Sequence, residues 1–249
     1  MKSVIDNFNR AAGQYEVHAA PQAALAVELA QWVLPGERTG RALELGAGTG
    51  LFTRLMLPWD GNYTATDAAP QMVALGRTCC PAAEWKVLDA RAPLGIESMQ
   101  WIFACSLLQW LPEPQKVLQH WRKILNPEGQ LAIAVLLPGT LGELHELLPE
   151  AKPLDWHTAD EWRSLVINAG FALEREQLWE QQSLHANSLE LMRAVHAMGL
   201  APHRAVNGGR LRTALREYNQ KHVVADGVVA TWRAWLERAR KAYKAATRP

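Results

Sequence analysis

Apolar and polar positions exchange in short blocks along residues 20–137: runs of strand length alternate with segments whose apolar residues recur at helical spacing. Residues 21–34 place Leu25, Leu29, Trp32 and Val33 on one helical stripe, and Pro35-Gly36 ends it. Arg41 to Leu45 reads as a first strand running into glycines, and Leu51 to Leu57 as a helix stopped by Pro58. Asn62 to Thr66 is a second strand ending at Asp67. A helix is expected over residues 70–77, with Pro70 near its start where the missing N–H does no harm. Glu84 to Leu88 is a third strand ending at Asp89, and Trp101 to Cys105 a fourth. A helix over 114–125, a turn at Asn126-Pro-Glu-Gly129 and a fully apolar fifth strand over 130–137 complete the series. This alternation predicts an α/β domain built on a parallel sheet.

Past residue 138 the pattern loosens. Residues 139–148 and 158–169 read as helices, the second opened by a Thr158-Ala-Asp-Glu161 capping box. Phe171 to Trp179 reads as extended, 188–198 as helical, and Asn207-Gly208-Gly209 as a break. Residues 227–241 stay ambiguous: Val228-Val229 favours a strand, the following Ala, Leu, Glu and Arg a helix. One domain over 1–249 is expected, with an N-terminal helical lid (1–40), a cofactor-binding core (41–137) and substrate-side helices and closing strands (138–249).

Composition narrows the class. With 49% hydrophobic and 20% charged residues, the chain is globular rather than disordered. No apolar run reaches the roughly 18 residues of a spanning helix, so no membrane association is expected. The first ten residues lack the apolar core of a signal peptide. Cys79, Cys80 and Cys105 suit neither a disulfide framework nor a zinc site, and no metal is expected; the cytoplasm is the expected location. The net charge of +1 conceals an asymmetry: residues 191–249 carry 12 basic against 3 acidic side chains, while 1–190 carry 14 against 22. Such a basic region steers acidic partners or is simply a solvated face. Few aromatics interleave it (Tyr218, Trp232, Trp235, Tyr243), so nucleic acid is not an expected partner.

The chemistry concentrates in Leu43-Glu44-Leu45-Gly46-Ala47-Gly48-Thr49-Gly50, between a strand and a helix. Glycines there let the backbone turn sharply and approach a ligand where a Cβ would intrude. Open α/β sheets bind ligands beyond the carboxyl ends of their strands, where this turn lies. Leu51 replaces the third small residue of a dinucleotide fingerprint, and no Gly-Lys-Ser/Thr of a P-loop follows. Asp67, 23 residues after Glu44, offers a carboxylate able to hold a nucleoside ribose through both hydroxyls. Asp67 and Asp89 also suit a plainer role as caps of the helices that follow.

The acid-x-Gly-x-Gly-x-Gly run at 44–50 resembles the first motif of the class I methyltransferases. The resemblance implies a Rossmann-like fold, with a mainly parallel seven-stranded sheet, helices on both faces, and added helices at the N-terminus and late in the chain. It implies S-adenosyl-L-methionine held by Glu44, Gly46, Ala47, Gly48, Gly50, Asp67 and Ala68, with Asp89 and Ala90 at the adenine, Cys105 near the cofactor, and Met72 either packed on the adenine or part of the core. Phe8-Asn-Arg10-Ala11-Ala12-Gly-Gln-Tyr15, Leu107-Leu-Gln109-Trp110, Pro138-Gly139-Thr140-Leu141 and Ser188 to Gly199 resemble more narrowly the malonyl-[acyl-carrier-protein] O-methyltransferases of biotin synthesis. That family usually has Ser and Ser/Asn where this chain has Ala104-Cys105. The narrower resemblance implies carboxyl methylation of a malonyl thioester on acyl carrier protein, with Tyr15 orienting and Gln109, Trp110 and Arg193 on the substrate. The alternatives are a methyltransferase for another small carboxylic acid or a quinone-like metabolite, and a non-catalytic nucleoside-binding protein.

Overall fold

The computed structural model describes residues 2–152, 156–200 and 206–242. Five parallel strands form the frame: β1 (Thr39–Leu45), β2 (Asp60–Asp67), β3 (Glu84–Val87), β4 (Met99–Cys105) and β5 (Leu125–Leu136). Two strands of 15 residues each, β6 (Phe171–His185) and β8 (Gly227–Lys241), close the sheet. A two-residue strand, β7 (Val223–Val224), pairs with β8. The order is β3-β2-β1-β4-β5-β8-β6, with β8 antiparallel to both neighbours. The expected seven strands thus form the main path, and β7 makes an eighth. Strand order reverses between β1 and β4, the topological switch point at which such sheets bind ligands.

Each face of the sheet carries its own core. On one side α2 (Ala20–Ala30), α3 (Thr53–Met56) and α4 (Pro70–Cys79) bury Leu25, Leu29, Met56 and Val73 against Phe103 and Leu236. On the other, α5 (Pro114–Ile124) and α7 (Ala159–Asn168) bury Leu118, Trp121, Trp162 and Val166 against Leu43, Ile102 and Ile133. Apolar residues on both faces explain why β5 reads as a continuous apolar run. The Thr158–Glu161 capping box forms as expected, Thr158 Oγ1 accepting from the Glu161 amide at 3.3 Å.

The β6–β8 ribbon runs past the end of β5 and carries a third core. There α6 (Gly142–Leu147), α8 (Ser188–Ala197) and α9 (Gly208–Lys221) bury Leu144, Leu191, Tyr218 and Trp232. Several expectations change here. Residues 227–241 are strand, because β8 finds β5 on one side and β6 on the other, and two ladders outweigh helix propensity. Asn207-Gly208-Gly209 is not a break but the start of α9: Asn207 Oδ1 accepts from the Gly209 and Arg210 amides. Asn126 to Gly129 bulges within β5, Met99 facing Leu125 and Trp101 facing Gln130. Only Thr53–Met56 of the expected 51–57 helix forms. Among the described residues, no helix is long and apolar enough to cross a membrane. Within the basic region 191–249, residues 201–205 and 243–249, Tyr243 among them, lie outside the described residues.

At the N-terminus, α1 (Lys2–His18) lies across the carboxyl ends of the strands, while α2 belongs to the core. Asn9 Oδ1 accepts from the Gln71 amide at 3.1 Å, Glu16 pairs with Arg54, and Phe8 sets its edge on Trp110 at 5.8 Å between ring centroids. These contacts fasten α1 to α4, to α3 and to the segment after β4.

Candidate functional site: a cleft between the glycine turn and the first helix

β1 delivers the chain into a turn in which Gly46, Gly48 and Gly50 all have positive φ, at +69°, +58° and +96°. The three glycines differ in what they permit. A Cβ on Gly46 would come within 2.8 Å of Leu107, and one on Gly50 within 2.9 Å of Cys80 Sγ, whereas one on Gly48 would meet nothing within 4 Å. Gly48 is therefore the glycine with open space before it. Gly50 faces the packed side, against Cys80 and Trp85, and is not in the cleft wall expected for it. The turn is tied to β2 by the Ala47 amide, which donates to Thr66 O at 2.8 Å.

Around it lies a cleft with about 850 Å³ of empty space, part of it open to solvent. An adjoining cavity of about 350 Å³ reaches under the turn to Glu44 and Ala47, and the two share Tyr15, Gln22, Gly46, Gly48, Cys105 and Ser106. Asp67 takes its place in the main cleft: Oδ2 accepts from the Gly48 amide at 3.0 Å and Oδ1 from Ala69 at 2.8 Å. Each oxygen retains a lone pair for a ligand hydroxyl. Burial pushes its pKa up, and the backbone donors oppose that shift.

Glu44 is placed otherwise. Its Oε2 accepts from Thr53 Oγ1 at 2.7 Å and from Tyr63 OH at 2.8 Å, which seats the carboxyl beneath the turn. Burial raises its pKa to about 7, with the nearby Asp67 charge adding to the rise. Asp89 lies two residues beyond β3 and lines the cleft, but it is already paired with Arg91, whose guanidinium holds its carboxyl below the usual range. Trp121 Nε1 donates to Ala90 O at 2.7 Å and fixes that loop from α5. Ala68 and Met72 line the cleft as well, Met72 with its side chain fully buried against Ala12 and Ala69.

The opposite wall comes from α1 and from the segment after β4. Tyr15 reaches both cavities, and burial, with Cys105 and Asp67 nearby, pushes its phenol up so that the hydroxyl stays protonated. Burial likewise pushes the Cys105 thiol up to about 12. Beyond it the backbone turns through Ser106 (φ +58°) into a short 3₁₀ turn, Leu108–Trp110, which sets Gln109 and Trp110 in the cleft wall. Gln109 is 7% exposed, and neither of its amide atoms has a hydrogen-bond partner within the protein. Ser106 Oγ and Gln22 Oε1 share that condition. Buried polar atoms without partners are costly, and a cleft wall that holds several of them is shaped for a polar ligand.

Arg193 requires correction. Its side chain is 62% exposed, it pairs with Glu190 one turn back on α8, and it lines neither cavity. Sequence reasoning assigned no site role to Phe8, Gln22, Ser106 and Met198, all of which line the cleft. The recurrence of Val4, Ile5 and Phe8 at helical spacing was the available signal for an α1 face turned inward. Among the described residues, no group of three or more potential metal ligands occurs.

Comparison with known proteins bears on this cleft directly. The family described as a methyltransferase domain matches residues 43–133, the stretch that holds the turn, Asp67, Asp89 and Gln109. A malonyl-[acyl-carrier protein] O-methyltransferase of Paenibacillus is 29% identical over 92% of this chain and 94% of its own. Residues 43–133 thus carry a methyltransferase domain, and the chain is an S-adenosylmethionine-dependent methyltransferase. A second relative, the biotin biosynthesis bifunctional protein BioCD of Bordetella avium, is 31% identical over 88% of this chain, which spans 49% of that longer protein. A solved S-adenosylmethionine-dependent methyltransferase of Thermotoga maritima superposes with a TM-score of 0.60 at 19% identity, over 96% of this chain and 99% of its own, and so shares the fold. The residues fit the cofactor this class uses. Gly48 leaves room that a Cβ would take, and Asp67 stands beside it with acceptor capacity in reserve.

Proposed function

We propose that this methyltransferase transfers the methyl group of S-adenosylmethionine to the free carboxylate of a malonyl thioester on acyl carrier protein, opening biotin synthesis in the cytoplasm. The observation that carries the reading is the neutrality of the wall facing the acids. Tyr15 and Cys105 are held protonated by burial, and Asp67 and Asp89 are engaged by backbone amides and by Arg91. Among its described residues the cleft offers no free base, which suits an acceptor that is ionised already, and a carboxylate at pH 7 is such an acceptor. Similarity to a malonyl-[acyl-carrier protein] O-methyltransferase over nearly its whole length supports the same substrate.

In this reading Asp67 would hold the ribose hydroxyls, the Gly46–Gly48 backbone would leave room for the cofactor, and Met72 and Ala90 would offer apolar surface to the adenine. Bound S-adenosylmethionine would supply an electrophilic methyl carbon to a carboxylate lone pair, with the electron pair of the methyl–sulfur bond passing to sulfur and no proton transfer required. The protein supplies alignment and dryness. Phe8 and Tyr15, carried on α1, cover the cleft and exclude water, and Trp110 fixes the acceptor side. Arg212 and Arg216, exposed on α9, add positive charge that steers an acidic carrier.

The test is methyl transfer from labelled cofactor to malonyl-acyl carrier protein beside a panel of other small acids. Transfer to the malonyl thioester is expected. Transfer to another acid, with malonyl thioesters inert, overturns the substrate assignment.

A further inference from the structure

Among the described residues that line the two cavities, none carries a basic side chain. Arg91 is spent on Asp89, Arg54 on Glu16 and Arg193 on Glu190. Among the described lining residues, a carboxylate entering this cleft meets only neutral donors. Of these Gln109 is the best prepared. It is more than nine-tenths buried, and its whole amide is unpartnered. Its backbone is held in the 3₁₀ turn, where the Trp110 amide donates to Leu107 O at 2.9 Å and the Leu111 amide to Leu108 O at 3.0 Å. Its neighbour Trp110 is braced edge-on by Phe8. A buried primary amide lacking both kinds of partner is costly until a ligand supplies them.

Resting on the carboxyl-methylation reading above, we propose that Gln109 recognises the substrate carboxylate, donating from Nε2 to the oxygen that is not methylated. A neutral donor is what the reaction calls for. The acceptor enters as an anion and leaves as an uncharged ester, so its charge is largest before transfer and falls on the way to the transition state. A guanidinium would hold the anion most tightly at the start and be left buried and unpaired at the end. That raises the barrier rather than lowering it. An amide orients the carboxylate while leaving the lone pair of the attacking oxygen available.

The experiment uses Gln109→Leu, which keeps the side chain's bulk and removes its donors, with malonyl-acyl carrier protein and the corresponding methyl ester as two ligands of similar shape. The kcat/KM for the malonyl form is expected to fall roughly 10- to 100-fold, as for loss of a hydrogen bond to a charged group. The inhibition constant of the ester, whose carbonyl oxygen is only a neutral acceptor for the same donor, is expected to rise less, roughly 2- to 10-fold, and the calorimetric affinity for S-adenosylhomocysteine, which does not involve that bond, to stay within about twofold. An equal loss for acid and ester would make Gln109 a packing residue and overturn the proposal, as would no loss at all. Should the leucine variant no longer bind S-adenosylhomocysteine, Gln109→Met is judged by the same criteria. If the unsubstituted protein fails to methylate malonyl thioesters, the substrate reading falls instead, so the two failures are distinguishable.

Discussion

Glu44 is a carboxyl under a backbone turn, hydrogen-bonded by two hydroxyls and shut off from water, and its replacement by glutamine tests that environment. The unfolded chain titrates this group near 4.5, and burial carries it to about 7 in the folded protein. Below about 4.5 it is protonated in both states, so its contribution to stability is complete. As pH rises the unfolded chain ionises first, and stability is lost progressively until pH passes the folded value. At 1.36 kcal/mol for each pH unit between the two values, the loss comes to roughly 3 kcal/mol. Burial shifts Asp67 in the same sense, while Glu16, Glu37 and Asp89 shift oppositely, so the total pH profile is composite. The difference between the unsubstituted protein and Glu44→Gln isolates one group, because the glutamine oxygen can still accept from Thr53 and Tyr63. Urea unfolding between pH 5 and pH 8 at constant ionic strength should show that difference moving by roughly 2–3 kcal/mol in favour of the variant as pH rises. A difference that stays flat, or moves the other way, would mean that Glu44 ionises freely and that the turn does not bury it.

Phe8→Ala should release S-adenosylhomocysteine about tenfold faster and cost roughly 1–2 kcal/mol of stability, less than the 3–5 typical of a fully buried phenylalanine. The half-buried ring braces Trp110 and Tyr15 over the cleft, and an unchanged release rate would remove α1 from its role as cover. Arg193→Ala should leave both KM values unaltered and change stability by less than about 1 kcal/mol, as for other exposed ion pairs. A selective rise in KM for the acyl substrate would restore Arg193 to the site.

The cofactor half of the cleft was legible because its chemistry is local in sequence. One strand end, one glycine turn and one aspartate at the next strand end sit within 24 residues. The same locality hid a division of labour: Gly48 faces open space while Gly50 packs on Cys80, and Glu44 lies below while Asp67 lies beside. Spacing alone cannot distinguish these, because both sides of a turn need glycine. The far half was harder to read. β8 carries Glu237, Arg238 and Arg240 among helix-forming residues, and only its two neighbours make it a strand. Gly208-Gly209 opposes helix by propensity, and Asn207 starts one there nonetheless by capping it. Arg193 was misplaced because a helical residue's partner depends on which face the helix buries. Leu191, Met192, Ala194 and Val195 point inward, and Arg193 is left outside with Glu190.

The account stands on a methyltransferase cleft in which Asp67, set by the Gly48 amide, holds an adenosyl ligand. Calorimetric titration with S-adenosylhomocysteine tests this most directly. The unsubstituted protein should bind one equivalent and show no binding of NAD, and Asp67→Ala should weaken the affinity roughly 10- to 100-fold through the loss of charge-assisted hydrogen bonds. No binding by the unsubstituted protein, or an affinity indifferent to Asp67→Ala, would contradict it.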